Sequence, residues 1–285
     1  MQGRYQEDTT EQESRTCRSK IVMLHYDESM KSVQTGITRR GSRCGSTDRS
    51  KKKRGTKESM ITDQFGKKWY KGNLHTHSTN SDGRLSPEEV IGLYREEGYD
   101  FLALTDHWFM GEERQEENFL LLSGAEYDVG NNVRDGIYHV VGIGMQKEPK
   151  LEKGPELQEK QAQLMIDRIH EAGGIAILAH PAWSMNRASE VRLLKDLDGC
   201  EIYNTTSGVP WNCRPYSGII LDELAAQGYV LPCMAADDAH QYTGDETKSY
   251  LMVQADELSR DAILEAIAQG RFYASQGPRF WIEKK

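Results

Sequence analysis

The stretch Asp100-Phe-Leu-Ala-Leu-Thr-Asp-His107 joins a short apolar run directly to an acid and a histidine. An apolar run of this length, following a helix that ends at Gly98, is typical of a buried strand. The strand leads straight into Asp106 and His107. We therefore predict that this stretch places polar side chains at the end of a buried strand, where α/β barrels have their chemistry.

The same arrangement recurs along the chain. From residue 71 onward, short apolar runs alternate with helical segments, and the predicted strands are 100–105, 120–122, 137–143, 175–179, 200–203, 230–236 and 250–253. About seven strands interleaved with helices predict a parallel α/β architecture. The polar residues at or just beyond the strand ends are His75, His77, Asp106, His107, Glu126, His180, Asp238 and His240. Strand ends converge at the mouth of a barrel, so this pattern favours a barrel over an open sheet.

The helix starts support the alternation. Ser86-Pro-Glu-Glu89 combines an N-cap serine, a proline in the first turn and a capping-box glutamate. Further helices are predicted near 157–172, 189–197, 215–227 and 258–268. No glycine-rich loop of the common phosphate-binding types accompanies them, which disfavours a nucleotide-binding open sheet.

The charge distribution divides the chain near Met60. Residues 1–60 contain 14 Lys and Arg against 8 Asp and Glu, whereas residues 61–285 contain 22 against 36. The first segment has few apolar residues, so we predict a disordered, basic N-terminal extension over 1–60 and a folded barrel over 61–285. The acidity of the folded part argues against stable nucleic-acid binding.

Membrane and disulfide chemistry are not expected. No apolar run approaches the length of about 20 residues that a membrane helix needs, and the N-terminus lacks the apolar core of a signal peptide. The five cysteines form no Cys-x-x-Cys pair, unlike a thiolate zinc site or a disulfide framework. We expect a soluble, cytoplasmic protein.

Two pairs of residues have metal-binding spacing. His75 and His77 are two positions apart, so on a strand both side chains point to the same face and can hold one ion. Asp238 and His240 repeat this spacing. Imidazole and carboxylate ligands suit zinc, manganese or iron. Alone, one such pair is weak evidence, because a core histidine gives the same pattern.

Taken together, the motifs resemble those of the polymerase and histidinol phosphatase (PHP) family of metal-dependent phosphoesterases. The matching stretches, in the family's order, are Asn73-Leu-His-Thr-His-Ser-Thr-Asn-Ser-Asp-Gly83, Leu104-Thr-Asp-His107, Leu178-Ala-His-Pro181 and Asp238-Ala-His240. The resemblance covers roughly residues 69–277. It implies a distorted (β/α)7 barrel, similar to a TIM barrel, and two or three divalent metal ions.

The resemblance also implies a ligand set. One ion would be held by His75, His77, Glu126 and Asp238. Glu126 would bridge to a second ion held by His139 and His180, and a third ion would take Asp82, His107 and His240. Some members of the family have histidine at the position of Asp82. The third ion therefore depends on whether aspartate can replace that histidine as a ligand.

Other residues are candidates for roles around the ions. Asp106 is predicted to act in catalysis or to orient a histidine or a water, and His240 to protonate the leaving alcohol where it is not fully engaged by metal. Trp108, Trp183 and Asn204, together with Trp211, follow strand ends and are candidates for lining a substrate pocket, although aromatic residues there are as often simple packing.

The resulting hypothesis is a phosphoesterase acting on a small phosphorylated metabolite or a nucleotide, through a hydroxide shared between metal ions. Two alternatives stay open. The stretch Arg271-Phe-Tyr-Ala-Ser-Gln-Gly-Pro278 is similar to a branch of the family that includes carbamate- and ester-hydrolysing enzymes. A non-catalytic metal-binding PHP module is the other. The arginines Arg134, Arg187, Arg214 and Arg279 are candidates for binding phosphate, with no basis for ranking them.

Overall fold

The computed structural model describes residues 24–25, 60–130, 137–152, 158–278 and 281–282. The chain divides into two units, one comprising Met1–Ser46 with Arg279–Lys285 and the other Thr47–Pro278. In the first unit, a two-stranded antiparallel pair is described. The predicted disorder of residues 1–60 lies outside the described residues except at these points, and everything below concerns the second unit.

The secondary structure alternates along the chain. The strands are β1 (Leu24–His25), β2 (Ile61–Thr62), β3 (Lys68–Asn73), β4 (Phe101–Ala103), β5 (Arg114–Glu116), β6 (Phe119–Leu122), β7 (Gly124–Val129), β8 (Tyr138–Ile143), β9 (Ile175–Leu178), β10 (Gly199–Asn204), β11 (Cys233–Ala236), β12 (Tyr250–Gln254), β13 (Phe272–Ser275) and β14 (Trp281–Ile282). The helices are α1 (Pro87–Glu96), α2 (Gln158–Glu171), α3 (Pro181–Ser184), α4 (Ala188–Val191), α5 (Gly218–Ala226) and α6 (Arg260–Ala268).

Helix α1 begins where its capping residues predict. The backbone N–H of Ser86 donates to the Glu89 carboxylate at 2.9 Å, and the reciprocal capping-box bond is also present. Val90, Ile91 and Tyr94 form its buried face. All the predicted strands and helices are found, although α4 is only 4 residues long, Ala188–Val191, where 189–197 was predicted. Within the described ranges, every helix is too short or too polar to cross a lipid bilayer.

The strands form two sheets. One has the order β11-β10-β9-β8-β7, and the other β13-β12-β3-β4-β6-β5 with β2 added beside β3. Pairs β3–β4, β4–β6, β9–β10 and β10–β11 are parallel, whereas β7–β8, β8–β9, β3–β12 and β12–β13 are antiparallel.

The predicted α/β class is confirmed, whereas a closed (β/α)7 barrel is not. The two sheets do not join into a continuous ring among the described residues. The expectation of a wholly parallel sheet was wrong: β8 follows β7 after a short connection and pairs with it antiparallel, so its other neighbour β9 is also antiparallel to it. The strands β1, β2, β5, β7 and β13 were not predicted.

The core lies on both faces of the strands. One cluster, which includes Phe101, Leu120, Val141 and Val253, packs between strands of both sheets and against α6. A second cluster lies between β7–β10 and helices α2, α4 and α5. At Gly72 in β3, a Cβ atom would lie 2.1 Å from the ring of Phe101, so this position requires glycine. The close approach sets β3 against β4, the two strands that lead into the first histidines.

The substitution Leu120→Ala should lower the free energy of unfolding by about 2–5 kcal/mol, because Leu120 is fully buried between strands and the truncation leaves a cavity. Urea denaturation followed by circular dichroism measures the loss. Leu193→Ala is the matched control, since Leu193 is 64% exposed and its loss should stay within about 0.5 kcal/mol. Equal effects of the two substitutions would contradict the assigned core.

Candidate metal centre

Nine acidic and histidine side chains meet at one rim of the strands. His75 and His77 follow β3, His107 follows β4, His180 follows β9, and Asp238 and His240 follow β11, while Asp82 lies on the loop after β3. The remaining two, Glu126 and His139, lie within β7 and β8. Because β8 runs antiparallel to β7 and β9, its first residues lie at the same rim as the last residues of β9. All nine predicted ligands are thus brought together.

Four side chains form the most compact group. The Nε2 atom of His75 lies 3.2 Å from Glu126 Oε2 and 3.1 Å from Asp238 Oδ1. The Nε2 atom of His77 lies 3.2 Å and 3.0 Å from the same two oxygens, and 3.2 Å from Nε2 of His75. All four residues are buried. These are the four residues that the family resemblance assigned to one ion.

The dimensions of this group fit a tetrahedral metal site. Ligand atoms about 2.0–2.1 Å from a zinc-like ion stand about 3.3 Å apart in a tetrahedron, close to the separations above. In addition, Asp238 Oδ1 is buried and has no hydrogen-bond partner among the described residues. A buried carboxylate oxygen without a donor is costly unless a cation compensates it. The donor set therefore fits a divalent ion.

Glu126 connects this group to a second one. Its Oε1 atom lies 2.7 Å from His139 Nδ1 and 3.2 Å from His180 Nε2, while its Oε2 atom faces His75, His77 and also His107 Nδ1 at 3.3 Å. One carboxylate thus presents one oxygen to each side. His107 Nδ1 is also buried without a hydrogen-bond partner among the described residues. The compact group on this side is His107, Glu126 and His139, with His180 adjoining Glu126 Oε1, so the division of these residues between ions stays a prediction.

The third group is more open. His77, Asp82, His107 and His240 offer ligand atoms that all lie within 4.8 Å of one another. Asp82 Oδ1 lies 3.4 Å from His240 Nε2, and the side chain of Asp82 is 56% exposed. His240 Nδ1 lies 2.7 Å from the carbonyl oxygen of Asp238, which can only accept. Nδ1 therefore carries a proton, and Nε2 is the ring nitrogen that faces the cluster.

Electrostatics at the rim favour bound cations. Burial opposes protonation of His75, yet the carboxylates of Asp238, Glu126 and Glu201 hold its pKa well above the usual value. Burial also opposes the charge on Glu126 and Asp238, but the imidazoles hold the pKa of both carboxyls below the usual range. The acids therefore remain charged and require positive partners. Divalent ions provide that charge more compactly than protonated rings.

The backbone is unusual at two of the ligands. His180 has φ 28° and Asp238 has φ 55°, both in the left-handed region that side chains rarely adopt. Such conformations cost on the order of 1–3 kcal/mol each and persist where the surroundings impose them. Here they turn the chain at the ends of β9 and β11 so that both side chains point into the cluster.

Glu201 is a buried hydrogen-bond partner of His75 that was not predicted from the sequence. Its Oε1 atom accepts from His75 Nδ1 at 2.7 Å, and Oε2 accepts from the His180 backbone N–H at 2.9 Å and from Asn204 Nδ2 at 2.8 Å. The bond to Nδ1 orients the ring so that Nε2 of His75 faces Glu126 and Asp238. In the sequence, Glu201 could have been noticed as an acidic residue inside the apolar run of β10.

Asp106 has different partners from those predicted. Its carboxylate accepts from the backbone N–H and hydroxyl of Ser78 at 2.8 and 2.7 Å and from the Ser81 hydroxyl at 2.7 Å. These bonds hold the loop after His77 and do not orient a histidine. The geometry therefore favours a positioning role for Asp106 over a catalytic one.

Asp237, the neighbour of Asp238, is similarly engaged. It accepts from the Tyr94 hydroxyl at 2.8 Å and from the backbone N–H of Ser249 at 2.7 Å, which ties α1 and β12 to the end of β11. Burial raises its pKa to about 6 in spite of these bonds. It anchors the strand end and does not enter the cluster.

The cluster opens onto a cavity of 340 Å³. Its wall includes Trp183, Trp211, Thr206, Ser207 and Gln241 as well as most of the ligands. The ring of Trp183 packs edge-on against the rings of His139 and His180, with centroids 5.6 and 5.0 Å apart. Trp183 therefore both lines the cavity and supports two ligands, as its place after β9 suggested.

Two other predicted pocket residues lie elsewhere. Trp108 packs edge-on against Tyr127 and donates from Nε1 to Asp128 at 2.6 Å, and it is not part of the cavity wall. Asn204 is fully buried behind the ligands and donates to Asp238 Oδ2 at 3.2 Å. Arg187 and Arg214 also lie outside the cavity wall. Arg134 and Arg279 are not among the described residues.

Comparison with known proteins gives partial matches. No protein-family model matches the chain. It is 34% identical over 114 residues to a 5'-3' exoribonuclease of Haemophilus influenzae, a match covering 36% of this chain and 41% of the relative. It is 25% identical over 146 residues to an uncharacterized protein of Methanocaldococcus jannaschii, covering 47% of this chain and 81% of that protein. The chain thus spans about two fifths of the exoribonuclease.

Among solved structures, a two-domain protein from Bacteroides vulgatus, described as containing a predicted PHP-like metal-dependent phosphoesterase, aligns with a TM-score of 0.57. The alignment covers 78% of this chain and 69% of that one at 19% identity. The chain has a PHP-like fold. The resemblance inferred from the histidine motifs is therefore supported at the level of the fold.

If the PHP-like cluster holds divalent ions, His77→Ala should weaken metal binding by more than about tenfold, since loss of even an outer partner of a ligand costs 10–100-fold. His77 faces two of the three groups. Elemental analysis after dialysis against a limiting metal concentration gives the metal content. His170→Ala is the control, because His170 on α2 pairs with Asp198 and lies in none of the three groups. Equal metal content in both variants would contradict the assignment.

Glu201→Gln should weaken metal affinity by about 10–100-fold without removing a ligand, because the charged acceptor of the His75 Nδ1 proton is lost. Competition with a fluorescent chelator measures the affinity. Glu223→Gln, on the exposed face of α5, is the matched control. An unchanged affinity in a Glu201→Gln protein of normal thermal stability would show that Glu201 only fills space.

Proposed function

We propose that the chain is a metal-dependent hydrolase that cleaves a phosphate ester of a small metabolite or a nucleotide. The observation that carries this proposal is the group of His75, His77, Glu126 and Asp238, whose imidazole nitrogens lie 3.0–3.2 Å from the carboxylate oxygens and whose two carboxylates also line an open cavity. A purely structural metal site is closed, whereas a catalytic one opens toward a substrate.

Two or three divalent ions would be held by the nine side chains. Glu126 would be shared between the first two ions, and Asp82 with His240 would complete the third. The absence of cysteine from the cluster and the mixture of imidazole and carboxylate suit zinc, manganese or iron. When bound, such ions neutralise charge on the phosphate oxygens and lower the pKa of a water that attacks phosphorus.

The chain's own residues would bind and orient the substrate. Thr206 Oγ1 is buried, lines the cavity and has no hydrogen-bond partner among the described residues. A hydroxyl in this state is available to donate to a phosphate oxygen. Among the described residues of the cavity wall there is no Lys or Arg, and Asp82, Glu126 and Asp238 are acidic. Phosphate binding in this cavity therefore depends on added cations.

The roles of the two predicted catalytic residues can be refined. His240 donates from Nδ1 to the Asp238 carbonyl, and an ion held at its Nε2 atom would leave the ring no free proton to give. We therefore propose that the leaving alcohol takes its proton from a bound water. Asp106 contributes by holding the loop from Ser78 to Ser81.

The names of two similar proteins favour a phosphate ester as the substrate. The Haemophilus influenzae relative is named as an exoribonuclease, an enzyme that cleaves phosphodiesters, and the Bacteroides vulgatus protein as a predicted phosphoesterase. Both names concern phosphate esters, which favours phosphorus over a carbonyl carbon as the electrophile here. The acidic surface of the folded part favours small substrates over long nucleic acids.

The purified chain, loaded with manganese or zinc, should release phosphate from an aryl phosphate, and exhaustive chelation should abolish the release. The physical reason is that the acidic cavity repels phosphate without cations. An aryl carbamate assayed in parallel tests carbonyl hydrolysis, and a phosphate screen across metabolites and nucleotides finds better substrates.

Glu126→Gln should lower the rate by at least about 100-fold, as expected when an electrostatic centre of catalysis is disturbed. Glu223→Gln provides the control on the surface. Phosphate release that survives chelation, or faster cleavage of the carbamate than of the phosphate, would overturn the proposed function. Metal binding without either activity would favour a non-catalytic module.

A further inference from the structure

A second cavity lies next to the metal cavity. It has a volume of 460 Å³, and its wall is formed mainly by the loop after β10 and by Lys248 and Gln276. Trp211 belongs to the walls of both cavities. The two spaces therefore adjoin each other at Trp211.

The loop after β10 divides the two spaces. Thr206 and Ser207 face the metal cavity, whereas Thr205 and Gly208 line the second one. Thr205 Oγ1 is held by Asp237 at 3.1 Å and by Ser249 Oγ at 2.7 Å. Since Asp237 adjoins the ligand Asp238, the partition is fixed to the same strand end as the metal centre.

The charges of the two cavities are opposite. Among the described residues, the wall of the metal cavity contains three carboxylates and neither Lys nor Arg, whereas the wall of the second contains Lys248 and no acid. The Lys248 ammonium makes neither a hydrogen bond nor an ion pair with any of the residues that the structure describes. In a folded part with 36 acidic and 22 basic residues, a cavity of this kind attracts anions. The rings of Tyr203 and Trp211 add flat apolar surface.

Size supports a shared occupant. Ligand cavities commonly measure about 300–1,000 Å³, and the metal cavity is at the lower end of this range. Two or three ions and a reacting phosphate would occupy much of this volume. The remainder of a larger substrate must extend out of the metal cavity, and the space beyond Trp211 adjoins it.

Resting on the proposed function, we propose that the second cavity binds the leaving-group side of the substrate. Its occupant is a group with an aromatic ring, which packs on Trp211 and Tyr203, and a second anionic group, which pairs with Lys248. A nucleotide unit linked through a second phosphate, as in a short 5′-phosphorylated oligonucleotide, has this chemistry.

Cys213 gives a direct test, because it is a free, exposed cysteine in the wall of the second cavity. Cys233, also free and exposed, lines a different groove and serves as an internal control. The manganese-loaded full chain is alkylated with iodoacetamide, and the rates at both cysteines are followed by peptide mass spectrometry. The ligand is a 5′-phosphorylated dinucleotide whose 5′ ester oxygen is replaced by CH2 so that it is not cleaved.

The dinucleotide should slow alkylation of Cys213 at least about fivefold and leave Cys233 unchanged. A matched dinucleotide with an uncharged methylphosphonate linkage should protect about tenfold less well at the same concentration, since one charge-assisted contact is lost. In Lys248→Gln, the two dinucleotides should protect equally. Lys195→Gln, on the exposed end of the α4 region, should retain the difference.

Equal protection of Cys213 by the charged and the uncharged dinucleotide would overturn the proposal. So would a difference between the two dinucleotides that is unchanged in Lys248→Gln. So would absence of protection at saturating ligand. The readout does not require turnover, so it separates this inference from the proposed function. A chain that shows charge-dependent protection but releases no phosphate would retain the binding site and lose the hydrolase.

Discussion

The site depends on one carboxylate, that of Glu126. Five imidazoles face its two oxygens: His139 and His180 on Oε1, and His75, His77 and His107 on Oε2. A buried glutamate in this position is tolerated because imidazole nitrogens surround it, and the raised pKa of His75 and of His139 allows these two rings to carry a compensating positive charge. The strands that supply those partners come from both sheets, so the electrostatics of one side chain and the packing of the two sheets are mutually dependent.

The antiparallel insertion of β8 makes this arrangement possible. In a wholly parallel sheet, the first residues of β8 would lie at the opposite rim, and His139 would be far from Glu126. Because β7–β8–β9 is antiparallel throughout, the beginning of β8 lies at the same rim as the ends of β7 and β9, with His139 paired to Asp128 two residues beyond Glu126. The departure from a regular β/α alternation is thus located where it adds a ligand, and the partition loop after β10 lies at the same rim.

Much of the site could be predicted from sequence, and less of the architecture. The ligands were recognisable because histidines and acids interrupt apolar runs at strand ends, and strands that serve packing alone rarely carry such interruptions. The direction of β8 could not be inferred, since an apolar run reads the same in parallel and antiparallel pairing. Glu201 was overlooked because it lies inside β10 and not at its end, and the serine partners of Asp106 could not be predicted because they carry no distinctive signal. Trp108 and Trp183 follow strands in the same way, yet one packs on Tyr127 and the other on two ligands, a difference set by tertiary contacts alone.

The left-handed backbone at His180 and Asp238 has an implication for how such a chain changes over evolutionary time. Glycine would relax either position and stabilise the apo fold, but it would delete a ligand at the same step. At these two positions, selection for stability therefore favours a substitution that selection for the metal centre opposes. In a descendant that no longer binds ions, we expect these two strained conformations to be lost first. Their absence would then indicate that the metal centre has been lost.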